Sequence, residues 1–125
     1  WQKEFRADSG GAGTYRGGLG QVCEIESRAL EPLQLSLLSD RWRHPAVGIL
    51  GGLEGAKSHI SFSDGTVPHQ KSRTVIEPGI RLKMIYAGGG GYGDPRQRER
   101  GRVCEDVKNG YVTAAAARRL YGEGG

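Results

Sequence analysis

Apolar and polar positions alternate along most of this chain, and the spacing turns helical only near its end. Ile80, Leu82, Met84 and Tyr86 share one face of residues 80–86, the two-residue period of a half-buried strand. Gln21–Glu26 sets Cys23 and Ile25 on one side, and residues 33–37 alternate again after Glu31-Pro32. Residues 59–63 and 73–76 continue the pattern, punctuated by the turn dipeptides Asp64-Gly65 and Pro78-Gly79. Residues 1–7 open the chain in strand-like text. Further on, Val103 and Val107 lie four apart and Asn109-Gly110 stops a helix. Thr113 can cap a second short helix that carries Leu120 and Tyr121 on its buried side. The expected fold class is α+β: a mainly β body with glycine-rich loops over residues 1–95, and a short C-terminal helical hairpin over 96–125. Together they are expected to form one structural unit, with the hairpin lying on the body close to residues 80–86.

Glycine changes this picture most. Its 22 residues among 125 are about two and a half times the usual share of roughly 7%. They gather in Asp8-Ser9-Gly10-Gly11-Ala12-Gly13, Gly17-Gly18-Leu19-Gly20, Gly51-Gly52-Leu53-Glu54-Gly55 and Ala87-Gly88-Gly89-Gly90-Gly91-Tyr92-Gly93-Asp94-Pro95. The last run is where β-structure hands over to α-structure. Four consecutive glycines allow positive φ and close approach of backbones, and they could form a nest of N–H groups. Asp94-Pro95 reads as a helix N-cap followed by proline at the first helical position.

Hydrophobic residues make up 36% of the chain, so a self-contained core would be thin. Met84 is the single methionine and no leader precedes the opening strand, which is the expectation for a piece of a longer polypeptide. No apolar run approaches the roughly 18 residues of a membrane span. Cys23 and Cys104 stand far apart and outside any CxxC pair, which suits a reduced, cytoplasmic protein. A net charge of +4 permits an anionic partner without requiring one. Arg96, Arg98, Arg100 and Arg102 are diluted by Glu99, Glu105 and Asp106, so they read as a solvated helix face rather than a nucleic-acid patch. A single Arg16-Gly17-Gly18 is weak as an RNA-binding element.

No catalytic set is complete in the sequence. Gly51 to Ser58 approaches a phosphate-binding loop, but Ala56 replaces the glycine before the lysine and a strand follows where a helix is needed. His44, His59 and His69 lack metal-ligand spacing, and Ser9 lacks a nucleophile elbow. The most polar segments beside glycine loops are Arg6 to Gly11 and Asp40 to His44. They could present N–H and guanidinium donors to a carboxylate or phosphate, or equally stabilise turns.

The run from Phe5 through Arg6, Asp8, Gly10-Gly11, Tyr15-Arg16-Gly17-Gly18 to Gln21 resembles a signature of the hydantoinase B/oxoprolinase family. Asp40-Arg41, Gly51-Gly52, Gly55, Lys71, Gly88 to Pro95, Val103, Asp106-Val107, Gly110 to Thr113, Ala117 and Tyr121-Gly122 follow in that family's order. The chain departs from it at Ile85-Tyr86-Ala87, where Thr-Pro is common before the glycines. The resemblance covers nearly the whole chain, and corresponds to a C-terminal portion of a B-type subunit. It implies an ATP-dependent, two-component hydrolase that opens cyclic amides such as 5-oxoproline, hydantoin or a lactam by phosphorylating the ring carbonyl. The implied partners are the rest of the B-type subunit and an A-type, ATP-binding subunit whose fold is similar to sugar kinases and actin. ATP and a divalent metal would belong to that parent complex. The family's metal-binding motif lies in the N-terminal part of the B subunit, so this segment alone is expected to bind neither and to be inactive. Supporting substrate- or anion-binding residues would be Arg6, Asp8, Arg16, Asp40 and Arg41, with Gly88, Gly89, Gly90 and Gly91 as a shaping element. The alternatives are a related acetone- or acetophenone-type carboxylase, or a non-catalytic assembly module that docks on the A-type subunit.

Overall fold

The computed structural model of the chain describes residues 2–122. Trp1 and residues 123–125, assigned above to the opening strand and the tail, lie outside that range. Six strands form where the alternation places them: β1 (Gln2–Phe5), β2 (Gln21–Glu26), β3 (Leu33–Leu38), β4 (His59–Phe62), β5 (Lys71–Ile76) and β6 (Arg81–Ile85). A 3-10 turn at Pro95–Gln97 precedes α1 (Arg100–Lys108) and α2 (Ala114–Tyr121). All pairings between the strands are antiparallel, in one sheet of order β1-β2-β6-β4 and a separate ribbon of β3 and β5.

Register follows the buried faces. Met84 of β6 stands opposite Cys23 on one side and Ile60 on the other, and Leu82 lies opposite Ile25 and Phe62. Leu37, Ile60 and Leu82 are buried together, with Leu35, Phe62, Ile76 and Met84 packed around them. The β3–β5 ribbon thus covers the apolar face of β6. Turn chemistry closes the strands as expected. Asp64 Oδ1 accepts the Thr66 amide and hydroxyl at 2.9 and 2.6 Å, and Gly65 takes φ of 89°. The Thr66 hydroxyl bond is the main reason the Asp64 carboxyl is held below its usual range.

Side-chain caps open the 3-10 turn and α2, whereas Glu99 ahead of α1 makes no capping bond with its side chain. Asp94 accepts the Arg96 amide ahead of Pro95, and Thr113 accepts the Ala116 amide. Gly110 and Gly122, both at positive φ, end α1 and α2. The hairpin packs on the chain's own body, but not beside β6. Val103, Val112, Ala116, Ala117 and Tyr121 bury themselves against Ala12 of the first glycine loop. The reason is that β6 is already flanked by β2 and β4 and covered by the ribbon. The loop, by contrast, offers nearly bare backbone that Ala116 and Ala117 can approach closely.

Candidate functional site

The four glycine-rich segments are hydrogen-bonded to one another through their backbones. Gly11 donates to the Gly89 carbonyl (2.8 Å), Gly89 to Gly18 (2.9 Å), Gly88 to Ala56 (3.1 Å) and Gly91 to Leu53 (2.9 Å). Leu53 donates to Ala12 and Ala56 to Ser9, closing the bundle, while Tyr15 and Tyr92 exchange both amide bonds. The run 88–93 is therefore bonded to several neighbours rather than to two, as in a flat sheet. Gly88, Gly89, Gly90 and Gly91 do not use positive φ, contrary to one expectation for this run. Their need is space: a Cβ on Gly88 would overlap the Ser9 carbonyl, and one on Gly91 the Ala12 carbonyl. Three of their amides face carbonyls of adjacent segments instead of forming an open nest.

A charged lock fixes the tail to this bundle. Asp106, buried on α1, accepts from Arg16 Nε at 3.2 Å and from Arg98 Nη2 at 2.9 Å. Arg98, only 8% exposed, also donates to the Thr14 carbonyl at 3.1 Å. Its Nε atom is buried without a partner among the described residues. Arg16 lies 5.5 Å from the Tyr111 ring centroid, and Tyr111 meets Phe5 edge-on. Burial pushes the Tyr121 phenol above its ordinary 10.0, with the Arg98 charge pulling the other way and Asp106 reinforcing the rise. The reading of Arg96 to Arg102 as a wholly solvated face is thus corrected at Arg98. One signal could have found this. Asp106 shares a helical face with Val103 and Val107, and a carboxylate within an apolar stripe needs a cation.

The other polar residues separate into two places. Asp8, at φ of 59°, accepts the Thr113 amide and hydroxyl, each at 2.8 Å, while its own amide donates to the Tyr111 carbonyl. Arg6 Nη1 donates to the Lys57 carbonyl at 2.7 Å. Ser9 is buried, bonded to the Arg6 carbonyl and accepting from the Gly20 amide. Arg6, Asp8 and Arg16 therefore stand at the junction of glycine loop and neighbouring segments. Asp40 and Arg41 line a different feature, an open pocket of about 460 Å³ with Trp42, Arg43, His44 and Lys71. Lys71 Nζ lies 3.3 Å from Asp40 Oδ1, and the Arg43 guanidinium stacks 4.4 Å over Trp42. Among the described residues, no three His, Cys, Asp or Glu side chains could hold a metal ion. The arrangement offers a densely hydrogen-bonded backbone bundle and a cationic pocket, and no nucleophile–base pair is assembled on either among the described residues.

Comparison with known proteins places this geometry in context. The sequence profile described as hydantoinase B/oxoprolinase matches residues 1–95. The caprolactamase beta subunit of Pseudomonas jessenii is 35% identical over 92% of this chain and 21% of its own length. 5-Oxoprolinase 1 of Arabidopsis thaliana is 39% identical over 71% of this chain and 7% of its own. The crystal structure of the ATP-dependent caprolactamase from P. jessenii superposes with a TM-score of 0.77 at 29% identity, covering 97% of this chain and 22% of that one. The nucleotide-free acetone carboxylase structure shares the fold at a TM-score of 0.66. The chain spans no more than about a fifth of the length of these relatives.

Proposed function

Because the chain belongs to the hydantoinase B/oxoprolinase family, we propose that it is the C-terminal part of a B-type subunit of an ATP-dependent hydrolase opening cyclic amides. The observation that carries this reading is the likeness to the ATP-dependent caprolactamase over 97% of the chain at 29% identity. In such a reaction the ring carbonyl oxygen takes the terminal phosphoryl group of ATP and ADP leaves. Water then adds at the activated carbon, the C–N bond opens and phosphate departs. ATP and a divalent metal act in the parent complex, on the A-type subunit and on the rest of the B-type subunit. The described residues do not fit a metal site. Within that complex, which we place in the cytoplasm, this segment is a supporting element. Arg6, Asp8 and Arg16 hold the loop and tail in register, and the run from Gly88 to Gly91 shapes the wall they share.

A related carboxylase is the second reading, favoured by 24% identity over 96% of the chain to the acetone carboxylase alpha subunit of Xanthobacter autotrophicus. One experiment separates the two. The B-type subunit containing this chain is co-purified with its A-type partner and given ATP with caprolactam, 5-oxoproline, hydantoin or acetone, each with and without bicarbonate. ADP formation coupled to a ring-opened amino acid, independent of bicarbonate, is the expected result. Bicarbonate-dependent turnover of acetone would favour the carboxylase. ATP turnover with none of them would remove both readings.

A further inference from the structure

We infer that the pocket formed by Arg41, Trp42, Arg43 and Lys71 is a binding site for a phosphate group. Arg41, Arg43 and Lys71 face one carboxylate there, Asp40, which leaves a formal net charge of +2 before His44 is counted. A phosphate group carries about −1.5 to −2 at neutral pH, so it balances that excess where a single carboxylate would not. The Asp40 carboxylate is engaged by Lys71, whereas the Arg41 guanidinium has no hydrogen bond or ion pair among the described residues. The Arg43 guanidinium carbon lies 4.4 Å from the centre of the Trp42 ring, which in turn meets His69 edge-on at 5.5 Å. That contact holds the guanidinium at the pocket beside Arg41 and Lys71.

The backbone beneath is built for the display. Arg41 sits at φ of 64°, a region that side chains with a Cβ rarely adopt. The buried Ser58 holds it there: the Ser58 amide donates to the Arg41 carbonyl at 3.0 Å and its hydroxyl to the Asp40 carbonyl at 2.6 Å. At most of its other left-handed turns, such as Gly65, Gly79 and Gly110, this chain uses glycine, the exposed Leu50 at φ of 52° being an exception. Asp8 departs from that practice and uses its carboxylate to bind Thr113. Arg41 departs from it at the mouth of a cationic pocket.

This site does not depend on the ring-opening reading, and its test reads no turnover. The 125-residue chain is titrated with inorganic phosphate, and separately with ATP, at constant ionic strength, following the Trp42 indole N–H by NMR. A saturable shift is expected. Arg41→Gly should weaken binding about tenfold without lowering the melting temperature, because glycine accepts this φ. Lys71→Gln, at a residue of ordinary strand backbone, should weaken binding as well, while Arg118→Gln on the exposed face of α2 leaves it within about twofold. Tighter binding of ATP than of phosphate identifies a nucleotide as the source of the group, and equal binding identifies a free phosphate. Failure to saturate would overturn the site, as would an Arg118→Gln loss equal to that of Arg41→Gly.

Discussion

Arg16 and Asp106 are 90 residues apart in the chain, and the Arg16 Nε–H group donates to Asp106 Oδ2 across 3.2 Å. That contact, shared with Arg98, joins the first glycine loop to α1, so the tail is part of the body's fold rather than an appendage. Removing one member of a buried ion cluster leaves the others uncompensated, and typical losses are about 3–5 kcal/mol. Asp106→Asn should therefore lower stability by several kcal/mol in chemical denaturation. Glu99→Gln, which breaks only the exposed pair with Arg102, should change it by less than about 1 kcal/mol. Equal effects would show that the buried cluster has no special weight.

The glycine bundle makes a sharper comparison. A Cβ at Gly88 would overlap the Ser9 carbonyl, whereas one at Gly18 meets nothing within 4 Å. Gly88→Ala should fail to give a cooperatively folded chain, or melt far below the parent. Gly18→Ala should be neutral or stabilising by up to about 1 kcal/mol, since alanine restricts the unfolded chain. Gly90→Val should also be disruptive, because its Cβ would meet the Val47 carbonyl, not because of positive φ. A Gly88→Ala protein with unchanged melting would reduce the bundle to a linker.

Val103, only 2% exposed, packs with Ala12 and Val112. Truncation to alanine removes two methyl groups and leaves a small cavity, so a loss of about 1–3 kcal/mol is expected. That loss should appear in the global unfolding transition of the monomer, followed by circular dichroism of the β-body. If Val103→Ala instead left global unfolding unchanged and only abolished association with an A-type subunit, the tail would be a docking element.

Tyr121 gives the chain an alkaline limit. Its phenol is raised above 10.0 mainly by burial, so the folded state holds this proton more tightly than the unfolded state does. The resulting stability is fully present below the unfolded value and is lost as pH rises through the folded one. Absorbance near 295 nm should show one tyrosine ionising later than the rest. Melting temperature should fall more steeply above about pH 10 in the parent than in Tyr121→Phe. Identical pH profiles would place the phenol in water.

Much of the candidate site was legible locally, and much was not. Asp94-Pro95 and Thr113 announce their caps because a cap is satisfied within three residues. Asp64-Gly65 announces its turn for the same reason. The polar segments around Asp8 and Asp40 stood out, yet nothing local says that Asp8 binds Thr113, 105 residues on, or that Lys71 meets Asp40. Arg98 looked solvated because its neighbours are charged. Its burial depends on the Thr14 carbonyl and on Asp106 arriving at the same place.

The sequence by itself determined the strands, the two short helices, their stops and the membership of a family, since alternation, capping and motif order are properties of neighbouring residues. Tertiary structure alone decided that the glycine runs interleave instead of curving. It also decided that the tail lies on Ala12 rather than on β6, and that Arg16, Arg98 and Asp106 become one buried cluster. The physical reason is that glycine carries no pattern. With no side chain to mark a face, its partners are set by which backbones can approach closely, and that is known only when all of them are in place.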